Sequence, residues 1–110
     1  MNPTSATESA DPDLADVDLV TVLQALADPV RVEIVRQLAG CSDSDGLTCG
    51  QIELPVSKST QSHHMKVLSG AGLLASREEG TRKYVSLRRA ELERHFPGLI
   101  ELVLSGRKAA

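Results

Sequence analysis

The chain has 110 residues, of which 41% are hydrophobic and only 2% aromatic, and its formal net charge is −3. That length suits one small domain rather than two, and a core with only Tyr84 and Phe96 as aromatics must be filled by Leu, Val, Ile and Ala, which favours helix packed on helix over a β-sandwich. No run approaches the roughly 18 apolar residues of a membrane span, and the opening MNPTSATESADPD lacks the basic-then-apolar layout of a secretory signal, so a cytoplasmic protein with no membrane partner is expected.

In chain order, residues 1–14 are rich in Ser, Thr, Ala, Pro and Asp without an apolar period and read as a disordered acidic tail. From Asp16 an apolar stripe at helical spacing, Val17, Val20, Leu23, Leu26 and Ala27, predicts a first helix that stops at Asp28-Pro29. Asp28 suits an N-cap and Pro29 the first helical position, so a second helix follows through Val30, Ile34, Val35 and Leu38 to a Gly40 cap. CSDSDG (41–46) is turn chemistry. Thr48 and Gln51 then have capping-box spacing, which predicts a short third helix ending before Pro55. Ser57, with Val56 placed as a hydrophobic staple, opens a fourth helix running through Met65 and Leu68 to about Gly70. A short helix, a tight turn and a longer helix give helix-turn-helix spacing.

Residues 73–77 and 82–87 are strand-like and separated by EEGT, where Gly80 can supply a positive φ, so a β-hairpin is expected. RRAELERHF then suggests a helical turn or two, and PGLIELVL a final apolar helix, leaving 107–110 as a C-terminal tail after a domain over 15–106. The expected fold is mostly α with a small β-hairpin, a winged helix-turn-helix of order α-α-α-α-β-β-α. A chain this small is marginally stabilised by its own burial, so a spare apolar helix finds a use in a subunit interface.

Charge is segregated along the chain. The first eighteen residues carry five acidic side chains and no Lys or Arg, whereas residues 57–94 carry eight basic side chains against four acidic ones. The positive charge therefore surrounds the fourth helix and the hairpin. At 100° per residue, Gln61, Met65, Leu68 and Gly72 stack on one side of that helix with His64 and Val67 nearby. Lys58, Ser59, Ser62, His63 and Lys66 gather on the other. The first side belongs to a core, while the second is small, polar and positive. Hydroxyl residues near a helix N-terminus let the backbone approach closely, the dipole favours phosphate, and Ser, Gln, Lys and His can reach base edges in a major groove.

The adjacent histidines diverge by about 100° on a helix, whereas chelating pairs sit at i and i+4, so a shared metal is disfavoured. His63 is read as a DNA-facing contact or a solvated side chain. His64 is read as a structural residue at the core margin, hydrogen-bonded to backbone or a neighbouring side chain. A basic hairpin directly after such a helix is the arrangement of a wing, whose tip lies on the sugar-phosphate backbone or the adjacent minor groove. Glu78 and Glu79 oppose that reading if they lie at the tip.

Taken together, ALADPVRVEIVRQLAG, LPVSKSTQSHHMKVLSGAGLL and REEGTRKYVSLR resemble, in that order and spacing, the ArsR-type winged helix-turn-helix repressors. The resemblance runs over residues 17–104. It implies a homodimer joined through its first and last helices, operator binding by the helix over 57–70, and wings made by residues 73–87. The groove candidates are Lys58, Ser59, Thr60, Gln61, Ser62, His63 and Lys66, with Thr60 and Gln61 leaning toward the core by their helical angle. Arg77, Arg82 and Lys83 are the phosphate candidates. The resemblance thus implies a DNA-binding regulator, in the sense of that family a repressor bound to a palindrome, rather than an enzyme.

The sensing chemistry of that family is not matched. Metal sensors of this type hold a C-x-C pair in or near the third helix, or a D-x-H paired with an H-x-x-E on the last helix. Here LTCGQIEL offers Cys49 alone, and PGLIELVL has neither His nor Asp. Two cysteines are too few for a disulfide framework. Cys41, Cys49 and His95 could assemble a thiol or soft-metal site across a dimer, but lone cysteines are usually small buried hydrophobes. No metal, cofactor or catalytic residue is assigned, and the effector is unknown. The rival readings are a protein-contact winged helix with no DNA target, a thiol- or metal-responsive repressor using Cys41 and Cys49, and a thiol- or histidine-dependent enzyme, for which no nucleophile–base–acid set is present.

Overall fold

A computed structural model describes residues 13–40, 47–48 and 52–106. Within them lie a 3-10 turn (Leu14–Asp16), helix α1 (Leu19–Leu26), helix α2 (Pro29–Ala39), strand β1 (Leu47–Thr48), helix α3 (Lys58–Gly70), strands β2 (Leu74–Glu79) and β3 (Arg82–Leu87), and helices α4 (Arg89–His95) and α5 (Leu99–Ser105). The three strands form one antiparallel sheet in the order β1-β3-β2. This is a mostly helical chain with a β-hairpin, consistent with a winged helix-turn-helix.

Local chemistry sets most of the boundaries. The Asp28 side chain accepts hydrogen bonds from the backbone N–H groups of Val30 and Arg31, and Pro29 follows it, so α2 begins where a cap and a pre-set φ coincide. Burial raises the Asp28 carboxyl pKa, but the two backbone N–H donors, the Arg31 guanidinium and the electrostatic influence of His64 outweigh it and hold the group below its ordinary value. Helix α3 starts at its Ser57 N-cap, whose Oγ accepts from the Thr60 N–H at 3.2 Å. It ends in a Schellman motif: the Leu73 N–H reaches the Leu68 carbonyl and the Gly72 N–H the Ser69 carbonyl. Gly72 takes φ +87°, and a Cβ there would lie 2.5 Å from Leu14 Cδ2, so both the turn and the packing against it call for glycine.

The core is aliphatic, as the composition requires. Val22, Ile34, Val35, Leu68, Leu73, Leu74, Leu92 and Ile100 are all buried, so one cluster joins α1, α2, α3, the hairpin and both terminal helices. Leu14, assigned to the tail from sequence, is 2% exposed and belongs to this cluster. Its turn packs against α4, and the packed unit therefore reaches back at least to Asp13.

Two further expectations need correction. The stripe read along the first helix is not its core face: Val22, Ala25 and Leu26 are buried, while Val20 and Leu23 are 55% and 46% exposed and Ala27 is exposed as well. Helix α1 is apolar on more than one side, and periodicity alone does not say which side packs inward. Thr48, expected to cap a third helix, instead pairs with Tyr84 in β1, beside Leu47 paired with Val85. Sheet pairing with β3 supplies the backbone partners that a helix start would otherwise need. The rest of that expected helix is divided: residues 49–51 lie outside the described residues, and residues 52–54 are not helical. The loop at 41–46, Cys41 and Cys49 also lie outside the described residues, as does most of the tail.

Candidate nucleic-acid interface

Helix α3 sorts its side chains by chemistry. Met65 and Leu68 are buried, Gln61 and Val67 are half-buried, and Lys58, Ser59, Ser62, His63 and Lys66 are exposed. Thr60, expected to lean inward, is exposed too; its Oγ1 accepts a hydrogen bond from Ser57 Oγ at 3.0 Å, and Ser59 Oγ lies 3.3 Å from the same Ser57 hydroxyl. The N-terminal turn thus presents three short hydroxyl side chains flanked by Lys58, and one turn later His63 and Lys66 continue the exposed face. Backbone N–H groups, hydroxyls and two ammonium groups on one convex helix form a surface that a polyanion can approach closely.

The two histidines part as their helical angles require. His63 is exposed, whereas His64 is 9% exposed with its ring 5.7 Å from that of His63. His64 Nδ1 lies 3.1 Å from Nη1 of Arg31. Among the described residues no group of three His, Cys, Asp or Glu side chains is placed to hold a metal ion. His95 is exposed on α4 beside Phe96.

The hairpin is longer than the sequence suggested. β2 runs through Glu79, which pairs with Arg82, so the turn is Gly80-Thr81 rather than EEGT. Gly80 at φ +65°, followed by a residue with negative φ, is the pattern of a type II′ turn. Glu78 and Glu79 are therefore strand residues, not the tip. Cross-strand partners share a face, so register decides which cations act together. Arg77 pairs with Tyr84 and Glu79 with Arg82 on one face; Glu78 pairs with Lys83 on the other. The three wing candidates thus divide, with Arg77 and Arg82 together and Lys83 opposite. Arg77 lies over the Tyr84 ring, 4.8 Å from its centroid, and 3.8 Å from the Glu79 carboxylate. Each cationic cross-strand position faces either an aromatic ring or a carboxylate, and three cations against two carboxylates leave the wing a net charge of only +1.

Three residues that sequence reasoning did not single out tie α2 to its neighbours, Arg31 to α1 and α3, Gln37 to the segment before α3, and Arg36 to α5. Arg31 donates from Nε to the Ala25 carbonyl at 2.6 Å as well as contacting His64. The Gln37 side-chain amide pairs with the backbone of Glu53, accepting from its N–H at 3.0 Å and donating to its carbonyl at 2.8 Å, and so holds the segment that leads into α3. Arg36 Nη1 reaches the Leu104 carbonyl near the end of α5 at 3.4 Å. The only advance signal was the D-P-x-R corner, in which Arg31 stands three residues after a capping Asp.

The fold is that of a winged helix-turn-helix protein, and α3 presents a polar, basic exposed face. Residues 26–77 match the family described as "Helix-turn-helix domain". The chain is 37% identical over 82 residues to a protein of Bacillus subtilis named "Uncharacterized HTH-type transcriptional regulator YceK", a match covering 73% of this chain and 80% of that relative. It is 42% identical over 66 residues to "HTH-type transcriptional regulator Rv2034" of Mycobacterium tuberculosis, a match covering 58% of each. The chain belongs to the family of helix-turn-helix transcriptional regulators. Among the described residues, no helix is long and apolar enough to cross a membrane.

Proposed function

We propose that this protein is a cytoplasmic ArsR-type repressor, not an enzyme, which binds a palindromic operator as a homodimer. Lys58, Ser59, Thr60, Gln61, Ser62, His63 and Lys66 enter the major groove; Arg77, Arg82 and Lys83 contact phosphates. The single observation that carries the reading is the exposed face of α3, which is polar and positive while its opposite face is core. A solvated helix of no function has little need for three hydroxyls and two lysines on one side of an otherwise acidic chain.

Dimerisation is supported by apolar side chains left exposed among the described residues. Leu19, Val20 and Leu23 on α1 and Leu102 on α5 are 45%, 55%, 46% and 66% exposed. They lie on the two helices that the family resemblance assigns to the interface, and pairing them around a two-fold axis would bury them. The folded unit between the acidic N-terminal tail and residues 107–110 is then the DNA-binding and dimerising domain. Two copies of α3 should read half-sites about 34 Å apart, one turn of duplex.

The test is selection of duplexes from a random-sequence pool by the full-length protein, followed by titration at two salt concentrations. A palindromic consensus, bound with a steep negative salt dependence by a species of twice the chain mass, is the expected result. Failure to enrich any sequence, with binding equally weak to all duplexes, would leave a protein-contact winged helix as the better reading.

A further inference from the structure

Arg31 is the third residue of α2, yet its guanidinium connects three helices. Nε donates to the carbonyl of Ala25 near the end of α1, and Nη1 meets Nδ1 of His64 in the second turn of α3. A guanidinium has donors and no acceptor, and it stays charged in proteins. At 3.1 Å the contact is a hydrogen bond only if Nδ1 accepts, so the geometry requires the neutral imidazole carrying its proton on Nε2. His64 is buried, and α3 reaches the core through this side chain, Met65 and Leu68.

We infer that Arg31 is a positioning residue for DNA recognition, which fixes the rotation of α3 about its own axis by holding His64 as the Nε2–H tautomer. The inference rests on the DNA-binding reading above and names a residue outside the DNA-contacting set. Met65 and Leu68 hold the inner face of α3 by non-directional apolar contact, and the hydrogen bond to His64 adds an angular constraint that such contact lacks. Turning α3 by about 20° moves the side-chain ends of that face by about 2 Å, which is enough to break base contacts.

One consequence separates this role from simple stabilisation. A side chain at position 64 that offers an acceptor in the place of Nδ1 satisfies the guanidinium, whereas one without it leaves that part-buried donor unpaired.

The test uses the full-length protein and the duplex that the wild type selects, with thermal unfolding recorded in parallel. If the wild type selects no duplex, the DNA reading fails, whereas the tautomer test below stands apart from it. Expected for Arg31→Gln is a loss of operator affinity on the order of tenfold, the size of one hydrogen bond to a charged group. His64→Ala should show a similar loss, and His64→Asn, whose side-chain oxygen offers an acceptor close to the place of Nδ1, should recover most of it. Should Arg31→Gln fold poorly, the ¹⁵N shifts of the wild-type imidazole decide the matter: His64 is expected as one tautomer with Nδ1 unprotonated at neutral pH. A protonated Nδ1, a tautomer mixture, equal losses in His64→Asn and His64→Ala, or wild-type affinity in a folded Arg31→Gln protein would each overturn the inference.

Discussion

Helices α1 and α3 each leave one face outside the monomer core, and the two faces have opposite chemistry. On α1 the exposed side carries Leu19, Val20 and Leu23, with Thr21 and Gln24 beside them; on α3 it carries Lys58, Ser59, Thr60, Ser62, His63 and Lys66. Both helices pack inward through small aliphatic sets, Val22 with Ala25 and Leu26 in one, Met65 with Leu68 in the other. The inner faces thus explain only the fold. It is the outer face that announces the partner: apolar side chains ask for another protein surface, and hydroxyls with ammonium groups ask for a hydrated polyanion.

The largest expected effect comes from reversing the chemistry of the apolar face. Leu23→Asp puts a carboxylate into the proposed interface twice per dimer, and burial of each leucine is worth up to about 1.5–3 kcal/mol. Sedimentation velocity should show a monomer with unchanged circular dichroism, and operator affinity should fall by a factor of roughly 100 or more, since two half-sites no longer bind as one unit. A variant that stays dimeric would break the comparison at its first half.

Next in size is Gly72→Ala, which tests how firmly the C-terminal end of α3 is anchored. A β-carbon at φ +87°, aimed at Leu14, should cost about 1–3 kcal/mol, read as a lower denaturation midpoint. Asp28→Ala removes the cap of α2 and should cost about 1 kcal/mol at neutral pH. Because the folded-state pKa of Asp28 is lowered, its contribution is present above the unfolded-state value and disappears as pH falls through the folded-state one. The gap between wild type and Asp28→Ala should therefore close in acid, and a gap that widened there would contradict the assignment.

On the polar face, Lys66→Ala should weaken binding to all duplexes alike and reduce the salt slope by about one ion per protomer, measured by titration over a range of salt. The smallest effect is expected in the wing. Arg82→Ala and Glu79→Gln alter the two members of one cross-strand pair, so they should change affinity in opposite directions, each by less than about 1 kcal/mol. Changes of the same sign would mean that this face of the hairpin does not meet phosphate.

Much of the local architecture was legible because it is written in single residues. Asp28-Pro29 and Ser57 start helices where a side chain can satisfy orphan N–H groups, and Gly80 turns the hairpin because only glycine takes its φ without strain. The exposed face of α3 was legible too, since one helix with one apolar stripe has a single way to lie on a core. Failures came where two partners competed for one segment. Thr48 had the spacing of a helix cap, but β3 offered it a ladder, and strand pairing is a long-range choice that local spacing does not record. Thr60 was judged by helical angle, which places a Cβ but ignores that Ser57 holds its hydroxyl at the surface.

By itself, the sequence determined where α2 and α3 begin and end and which face of α3 would be polar, because caps, turns and periodicity act over a few residues. Only the tertiary structure decided which side of α1 faces inward, which cations of the hairpin share a face, and that Arg31, Gln37 and Arg36 tie α2 to α3, to the segment before it and to α5. Those are contacts between residues far apart in the chain. Their geometry is set by how finished elements pack, and no local pattern of side chains encodes it.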